Sequence, residues 1–78
     1  MSEIFMFHKW PCPYCGKVRD FMKEKGIDIP LKDITASSEI ADELISIGGK
    51  RQVPCLVIDG KPMYESGDII AWLDENYT

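Results

Sequence analysis

Two apolar runs along the chain show no polar alternation: Ile4-Phe5-Met6-Phe7 and Cys55-Leu56-Val57-Ile58. That pattern belongs to strands buried on both faces, so both are predicted at the centre of a sheet. Between them, Val18, Phe21 and Met22 fall at helical spacing over 15–25, and Gly26 follows as a C-terminal stop. A second helix is expected after a Ser37 or Ser38 cap, with Ile40, Leu44 and Ile47 on one face and Gly48-Gly49 at its end. A third starts from a Ser66 cap and carries Ile69, Ile70, Leu73 and Tyr77, with Asp68 near its positive end. Ile29, Leu31 and Asp33 alternate with more polar neighbours, but Pro30 removes a ladder donor and puts this strand at an edge. Asp59-Gly60 is a hairpin signal leading into a short strand at Met63-Tyr64. The order β-α-β-α-β-β-α predicts an α/β domain over 1–78, a four-stranded mixed sheet flanked by three helices. The first βαβ unit needs a parallel pair and the hairpin an antiparallel one.

Length and composition narrow what such a domain can do. A chain of 78 residues and 8.9 kDa supports one hydrophobic core. Nine basic against thirteen acidic residues give a net charge of −4, which excludes the basic face that nucleic-acid binding needs. The charge is uneven: residues 1–32 hold six Lys/Arg and four Asp/Glu, whereas 33–78 hold three and nine. The N-terminal part is therefore locally positive. No uncharged apolar stretch approaches the roughly 20 residues that span a bilayer, and no basic segment precedes the first apolar run. A cytoplasmic protein without a membrane partner is expected. Thiols stay reduced in that compartment, so three cysteines point to reactivity or metal binding rather than to a disulfide framework.

Cys12-Pro13-Tyr14-Cys15 lies where the first strand hands over to the first helix. A thiolate at a helix N-terminus is stabilised by unpaired backbone N–H groups and the macrodipole, which can lower a cysteine pKa from about 8.5 to roughly 3.5–7.5. One helical turn brings the second sulfur within disulfide reach, so Cys12 reads as nucleophile and Cys15 as resolving thiol. Pro13 suits the first helical position, where a missing N–H costs nothing. A zinc site would need four ligands, and the chain offers this pair, Cys55 and the single His8, so no metal is expected. Inert packing is the other reading, but the flanking prolines and the junction favour partial exposure of the pair. Cys55 reads as a buried strand residue and His8 as a satisfied histidine at a strand end.

On these residues the sequence resembles a glutaredoxin. The Cys-Pro-Tyr-Cys motif and the order of elements match that family's dithiol type and its minimal thioredoxin fold over essentially the whole chain. The resemblance implies a thiol-disulfide oxidoreductase acting on protein disulfides or glutathione mixed disulfides, with glutathione as co-substrate and no tightly bound cofactor. It implies that Val53-Pro54 carries a cis bond facing the cysteines, leaving the Val53 main chain to pair with substrate as one rung of a sheet. It also implies that Glu65-Ser66-Gly67-Asp68 receives the γ-glutamyl end of glutathione, as a similar Glu-Ser step does in glutathione transferase N-terminal domains. Helix N-terminal N–H groups hold carboxylates and Asp68 can pair with an ammonium, although Ser66 and Asp68 read equally as a helix cap. Lys9 and one or more of Lys50, Arg51 and Gln52 would take the glycyl carboxylate, with Tyr14 as a wall beside the substrate.

Some residues depart from that pattern. Arg51-Gln52-Val53-Pro54 is similar to glutaredoxin-like electron donors of ribonucleotide reductase, which implies recycling by a flavin enzyme, thioredoxin reductase, instead of glutathione. Trp10-Pro11 stands where small polar residues are common, which implies restricted access to Cys12. Gly16 weakens the first helix by about 1 kcal/mol relative to alanine. A glutathione-ligated iron–sulfur carrier is the reading from another class, against which the second cysteine and Pro13 speak.

Overall fold

A computed structural model describes residues 3–77; Met1, Ser2 and Thr78, the ends of the expected 1–78 domain, lie outside the described residues. The elements are β1 (Ile4–His8), α1 (Pro13–Lys25), β2 (Leu31–Asp33), α2 (Ser38–Gly48), β3 (Cys55–Ile58), β4 (Lys61–Met63) and α3 (Ser66–Tyr77). They form one mixed sheet in the order β2-β1-β3-β4, with β1 parallel to β2 and antiparallel to β3, and β3 antiparallel to β4. This is the α/β architecture expected from the sequence.

The two unalternating runs are the central strands, and register explains their composition. Met6 pairs with Leu56, and both point to the face covered by α1 and α3, where they join Val18, Met22, Ile69 and Leu73. Phe5, Phe7, Cys55 and Val57 point to the other face, under Ala41 and Leu44 of α2. A strand with a helix layer on each side has no solvent face for polar residues to occupy. Phe5 and Phe7 meet edge to face at 5.3 Å between ring centroids.

Four boundaries differ from the sequence reading, each for a local reason. Helix α1 starts at Pro13, two residues before Cys15, because proline fits the first helical position. Strand β2 starts at Leu31: Ile29 is buried ahead of it, Leu31 faces outward, and Pro30 contributes only its carbonyl, which accepts the Met6 N–H at 3.0 Å. Strand β4 is Lys61–Met63 instead of Met63-Tyr64. Asp59 and Gly60 both take positive φ, 50° and 84°, which closes a two-residue hairpin and pairs Ile58 with Lys61, so the strand begins at once. Pro62 is tolerated because β4 is an edge. Helix α3 includes Ser66 in its first turn, and the Glu65 carbonyl accepts the Ile69 N–H at 2.8 Å. The expected cap of α2 is Ser37, whose hydroxyl accepts the Glu39 N–H at 3.1 Å.

Leaving β4, Tyr64 turns back over the end of α2, where its hydroxyl donates to the Lys50 carbonyl at 3.0 Å. Gly48 lies beneath it, and a methyl group there would collide with the Tyr64 hydroxyl and ring. Gly48→Ala is therefore expected to destabilise the fold by about 1–3 kcal/mol, as overpacking does. In a Tyr64→Ala background the same change is expected to be neutral or to stabilise by up to about 1 kcal/mol, the helix-propensity gain. Denaturant melts of the four proteins check this, and equal effects in both backgrounds would remove the proposed clash.

Candidate active site

Helix α1 presents its first turn to the end of β1, and Cys12 occupies the N-cap position with φ −76° and ψ 119°. Its carbonyl takes the first helical bond, from the Gly16 N–H at 3.0 Å, while no side-chain oxygen caps the helix and no acidic residue lies in the first turn. The backbone donors of Cys15 and Tyr14 therefore face sulfur. Burial pushes the Cys12 pKa up, but the Cys15 N–H, the Cys15 thiol, the Tyr14 N–H and the Lys9 charge together bring it below its ordinary value. A thiolate here fills the place that a serine or aspartate oxygen fills in other helices. Cys12 is more enclosed than the sequence suggested, at 8% exposure, with Sγ 3.9 Å from the Val53 carbonyl oxygen. Cys15 is fully buried behind it. Burial, the Cys12 thiol and the Cys12 charge push its pKa up to about 11 against the pull of the Lys9 N–H and Arg19. The two cysteines are thus driven apart, one toward thiolate and the other toward thiol.

The loop between β1 and α1 is held by Arg19, a residue the sequence reading did not single out. Its Nη1 lies 3.1 Å from His8 Nδ1 and donates to the Lys9 carbonyl at 3.3 Å, and Nη2 donates to the Trp10 carbonyl at 3.1 Å. A guanidinium only donates, so His8 Nδ1 must accept and the buried ring is neutral, with its proton on Nε2. Burial first and the Arg19 charge second lower the His8 pKa, opposed by Asp33. His8 is thus the satisfied histidine expected. Trp10 packs edge-on against His8 at 4.8 Å and lies under the guanidinium at 4.6 Å. It is 62% exposed and lines neither cleft beside Cys12. The Lys9 carbonyl that Arg19 grips also accepts the Cys12 N–H at 3.3 Å, which ties the clamp to the nucleophile's backbone. The available signal was position: Arg19 stands one turn beyond Cys15 on the same helix face.

Two clefts meet at the Val53-Pro54 bond, which is cis. One, of about 350 Å³, is lined by Lys9, Cys12, Ile34, Thr35, Arg51, Gln52 and Val53. The other, of about 310 Å³, is lined by Tyr14, Gln52, Val53, Pro54, Tyr64, Glu65 and Ser66. Gly67 and Asp68 are exposed on α3 and line neither. Of the three candidates before Val53, Arg51 and Gln52 reach the clefts, whereas the Lys50 ammonium lies over the Tyr64 ring at 4.7 Å. Thr35 and Tyr64 are additions that the sequence reading missed. Asp33 Oδ1 holds Thr35 through its N–H at 2.8 Å and its hydroxyl at 2.6 Å. Among the described residues no three His, Cys, Asp or Glu side chains converge as a metal site requires.

Residues 6–78 match the family model of the glutathione S-transferase N-terminal domain. Glutaredoxin-1 of Saccharomyces cerevisiae is 32% identical over 76 residues, covering 87% of this chain and 68% of that protein. Among solved structures, glutathione transferase Omega 3C from Trametes versicolor superposes with a TM-score of 0.82 at 25% identity, over 97% of this chain and 35% of that one. Wheat glutaredoxin gives 0.70 at 28% identity, over 94% and 71%. The chain spans about a third of the length of the transferases it matches.

Two outcomes follow from this geometry. The pH profile of iodoacetamide alkylation should show one fast thiol with a midpoint below that of an unperturbed cysteine, assigned to Cys12 by peptide mapping. Lys9→Gln should slow that reaction at pH 7 roughly two- to fivefold, the span of a partly exposed charge pair. An unchanged rate would remove Lys9 from the site. His8 supplies the second. Its folded pKa lies below the ordinary 6.5, so the stability that depends on a neutral ring is complete above about pH 6.5 and is lost as pH falls through the folded value. Arg19→Met removes one of the two influences that lower it, and NMR titration of the ring should show the His8 midpoint rise.

Proposed function

The chain belongs to the family of glutathione S-transferase N-terminal domains and glutaredoxins, and from that membership and the Cys12 site we propose that residues 1–78 form a single glutaredoxin-like domain that catalyses thiol-disulfide exchange. The observation that carries the reading is the Cys12 sulfur facing the open N-terminus of α1 while its cleft adjoins the Val53 main chain. The substrates are protein disulfides and glutathionylated proteins, and glutathione is the co-substrate. A reducing compartment such as the cytoplasm suits this chemistry, because Cys12 and Cys15 must return to thiols after each cycle.

In deglutathionylation the Cys12 thiolate attacks the glutathione sulfur of the mixed disulfide. The new bond joins Cys12 to glutathione, the old disulfide breaks, and the protein sulfur leaves as a thiolate that takes a proton from water. A second glutathione thiolate then attacks the sulfur of the bound glutathione, releasing oxidised glutathione and restoring Cys12. In dithiol reduction Cys12 forms a mixed disulfide with the target. Cys15 then attacks the Cys12 sulfur, its proton goes to the departing target thiolate, and the Cys12–Cys15 disulfide is reduced by two glutathiones. The pKa pattern times this second step. Burial holds Cys15 protonated, with the Cys12 thiol and charge adding to it, and forming the mixed disulfide removes both of those additions. Burial still raises the Cys15 pKa at that stage, opposed by the Lys9 N–H and the Arg19 charge, so occupation of Cys12 shifts Cys15 toward the thiolate.

Glutathione is proposed to lie across both clefts. Its cysteinyl main chain pairs with Val53 beside cis-Pro54, its glycyl carboxylate lies toward Lys9, Arg51 and Gln52, and its γ-glutamyl end lies toward Tyr14, Glu65 and Ser66. Gly67 and Asp68 stand outside the clefts, so a contact from Asp68 to the glutamyl ammonium requires the ligand to reach beyond the cleft rim. That position and the Arg51-Gln52 pair favour a second reading for the reductant alone, recycling by thioredoxin reductase.

Cys12→Ser should remove turnover of both substrate types by several orders of magnitude, as loss of a covalent nucleophile does. Cys15→Ser should keep deglutathionylation and lose reduction of protein disulfides. Assays with glutathione and glutathione reductase, run beside thioredoxin reductase with NADPH, identify the reductant by the faster cycle. Full activity in purified Cys12→Ser protein contradicts the reading.

A further inference from the structure

A cleft of about 550 Å³ is larger than the one that holds Cys12. It runs beside α2 and is lined by Ile34, Thr35, Ser37, Ser38, Ala41, Asp42, Ile45 and Arg51. Ile34, Thr35 and Arg51 also line the Cys12 cleft, which in turn shares Gln52 and Val53 with the cleft before α3. The three therefore form one chain of clefts with the nucleophile in the middle member. The two clefts already assigned to glutathione, at about 350 and 310 Å³, suffice for a small ligand on the usual scale of roughly 300–1,000 Å³. The third is left without an occupant.

We infer that this third cleft seats the polypeptide of a glutathionylated protein substrate, taking an apolar side chain close to the substrate cysteine and a basic one next to it. The inference rests on the function proposed above and names its substrate class. The floor is apolar, with Ile34 and Ala41 buried and Ile45 at its edge, 43% exposed. Hydroxyls from Thr35, Ser37 and Ser38 stand along it, and among the described residues the side chains of Ser38, Asp42 and Arg51 make no hydrogen bond or ion pair. Small-molecule sites are mostly apolar and enclosing, whereas an open groove edged by hydroxyls and charges suits an extended chain with regularly spaced N–H and C=O groups.

Charge selects the basic neighbour. Helix α2 carries Glu39, Asp42 and Glu43 and no Lys or Arg. Glu43 pairs with Lys32 at 2.7 Å, which leaves Asp42 as the unpaired carboxylate of α2 that lines the cleft. With glutathione in the two inner clefts, attack by Cys12 on its sulfur forms the Cys12–glutathione bond and releases the protein thiolate on the side away from Cys12, and the third cleft adjoins that site through Ile34, Thr35 and Arg51. A second glutathione supplies the electrons that restore Cys12, as above.

The test compares three S-glutathionylated peptides, with Leu-Lys, Leu-Glu or Gly-Gly two residues from the cysteine, with the mixed disulfide of glutathione and cysteamine. The wild-type protein should favour Leu-Lys over Gly-Gly by about tenfold in kcat/KM, the effect of partly burying one leucine. Asp42→Lys should reverse the order of Leu-Lys and Leu-Glu, and Ile45→Ser should remove the advantage of leucine, while cysteamine mixed-disulfide turnover changes less than about twofold in either variant. Equal rates on all three peptides, or an unchanged order in Asp42→Lys, overturn the inference while leaving the Cys12 reading intact. Absence of turnover on the cysteamine substrate overturns the Cys12 reading and this inference with it.

Discussion

The first turn of α1 has backbone donors that the helix itself cannot satisfy, and the protein meets that need with sulfur. With Cys12 at the N-cap and Pro13 at the first helical position, the nearest free N–H groups belong to Tyr14 and Cys15. A thiol satisfies them poorly and a thiolate satisfies them well, so a structural requirement of the helix becomes a chemical property of the cysteine. The rest of the site follows from keeping that turn where it is. Strand β1 is buried on both faces and fixes the end from which the loop departs, Arg19 holds the loop by two carbonyls and His8, and Val53 closes the far wall.

Enclosure works in two directions here. Burial raises the pKa of both thiols, yet only Cys12 has enough donors around it to reverse the effect. Cys15, deeper and next to a sulfur already biased toward charge, stays protonated. In the exchange proposed for the site, that gap makes Cys12 the first nucleophile and Cys15 the second. The same loop serves both, since Lys9 sends its charge toward Cys12 and its N–H toward Cys15.

Much of the fold was legible because it follows from burial. The unalternating runs at Ile4-Phe5-Met6-Phe7 and Cys55-Leu56-Val57-Ile58 could lie only under two layers, and the Asp59-Gly60 pair specified its own turn. Boundaries were less legible where one residue has two uses. Ser66 reads as a cap but sits inside the first turn of α3, and Tyr64 reads as a strand residue but leaves the sheet to reach the Lys50 carbonyl. In the site, Lys9, Cys12, Tyr14, Arg51, Gln52, Val53, Pro54, Glu65 and Ser66, all named from the motifs, line the two clefts. Arg19, Thr35 and Tyr64 did not stand out, because a single arginine, threonine or tyrosine carries no pattern. Arg19 and Tyr64 are placed by hydrogen bonds to backbone carbonyls 9 to 14 residues away, which periodicity does not encode, and Thr35 by the carboxylate of Asp33. Enclosure of Cys12 was missed for the same reason, since its cover comes from Val53, 41 residues away.

The uneven charge takes on a physical meaning in this arrangement. Basic groups, Lys9 and Arg51, border the Cys12 cleft, whereas the acidic excess lies on α2 and α3, so the field at the nucleophile favours an anionic thiol such as the proposed co-substrate glutathione. The central claim is that the helix N-terminus makes Cys12 the thiol that exchanges with glutathione. The most direct measurement is mass spectrometry of the Cys15→Ser protein, folded and at neutral pH, after brief exposure to oxidised glutathione. The account predicts one glutathione per chain, on Cys12, with Cys55 unmodified. Modification of Cys55 in its place, or no adduct while the protein remains folded, would contradict it.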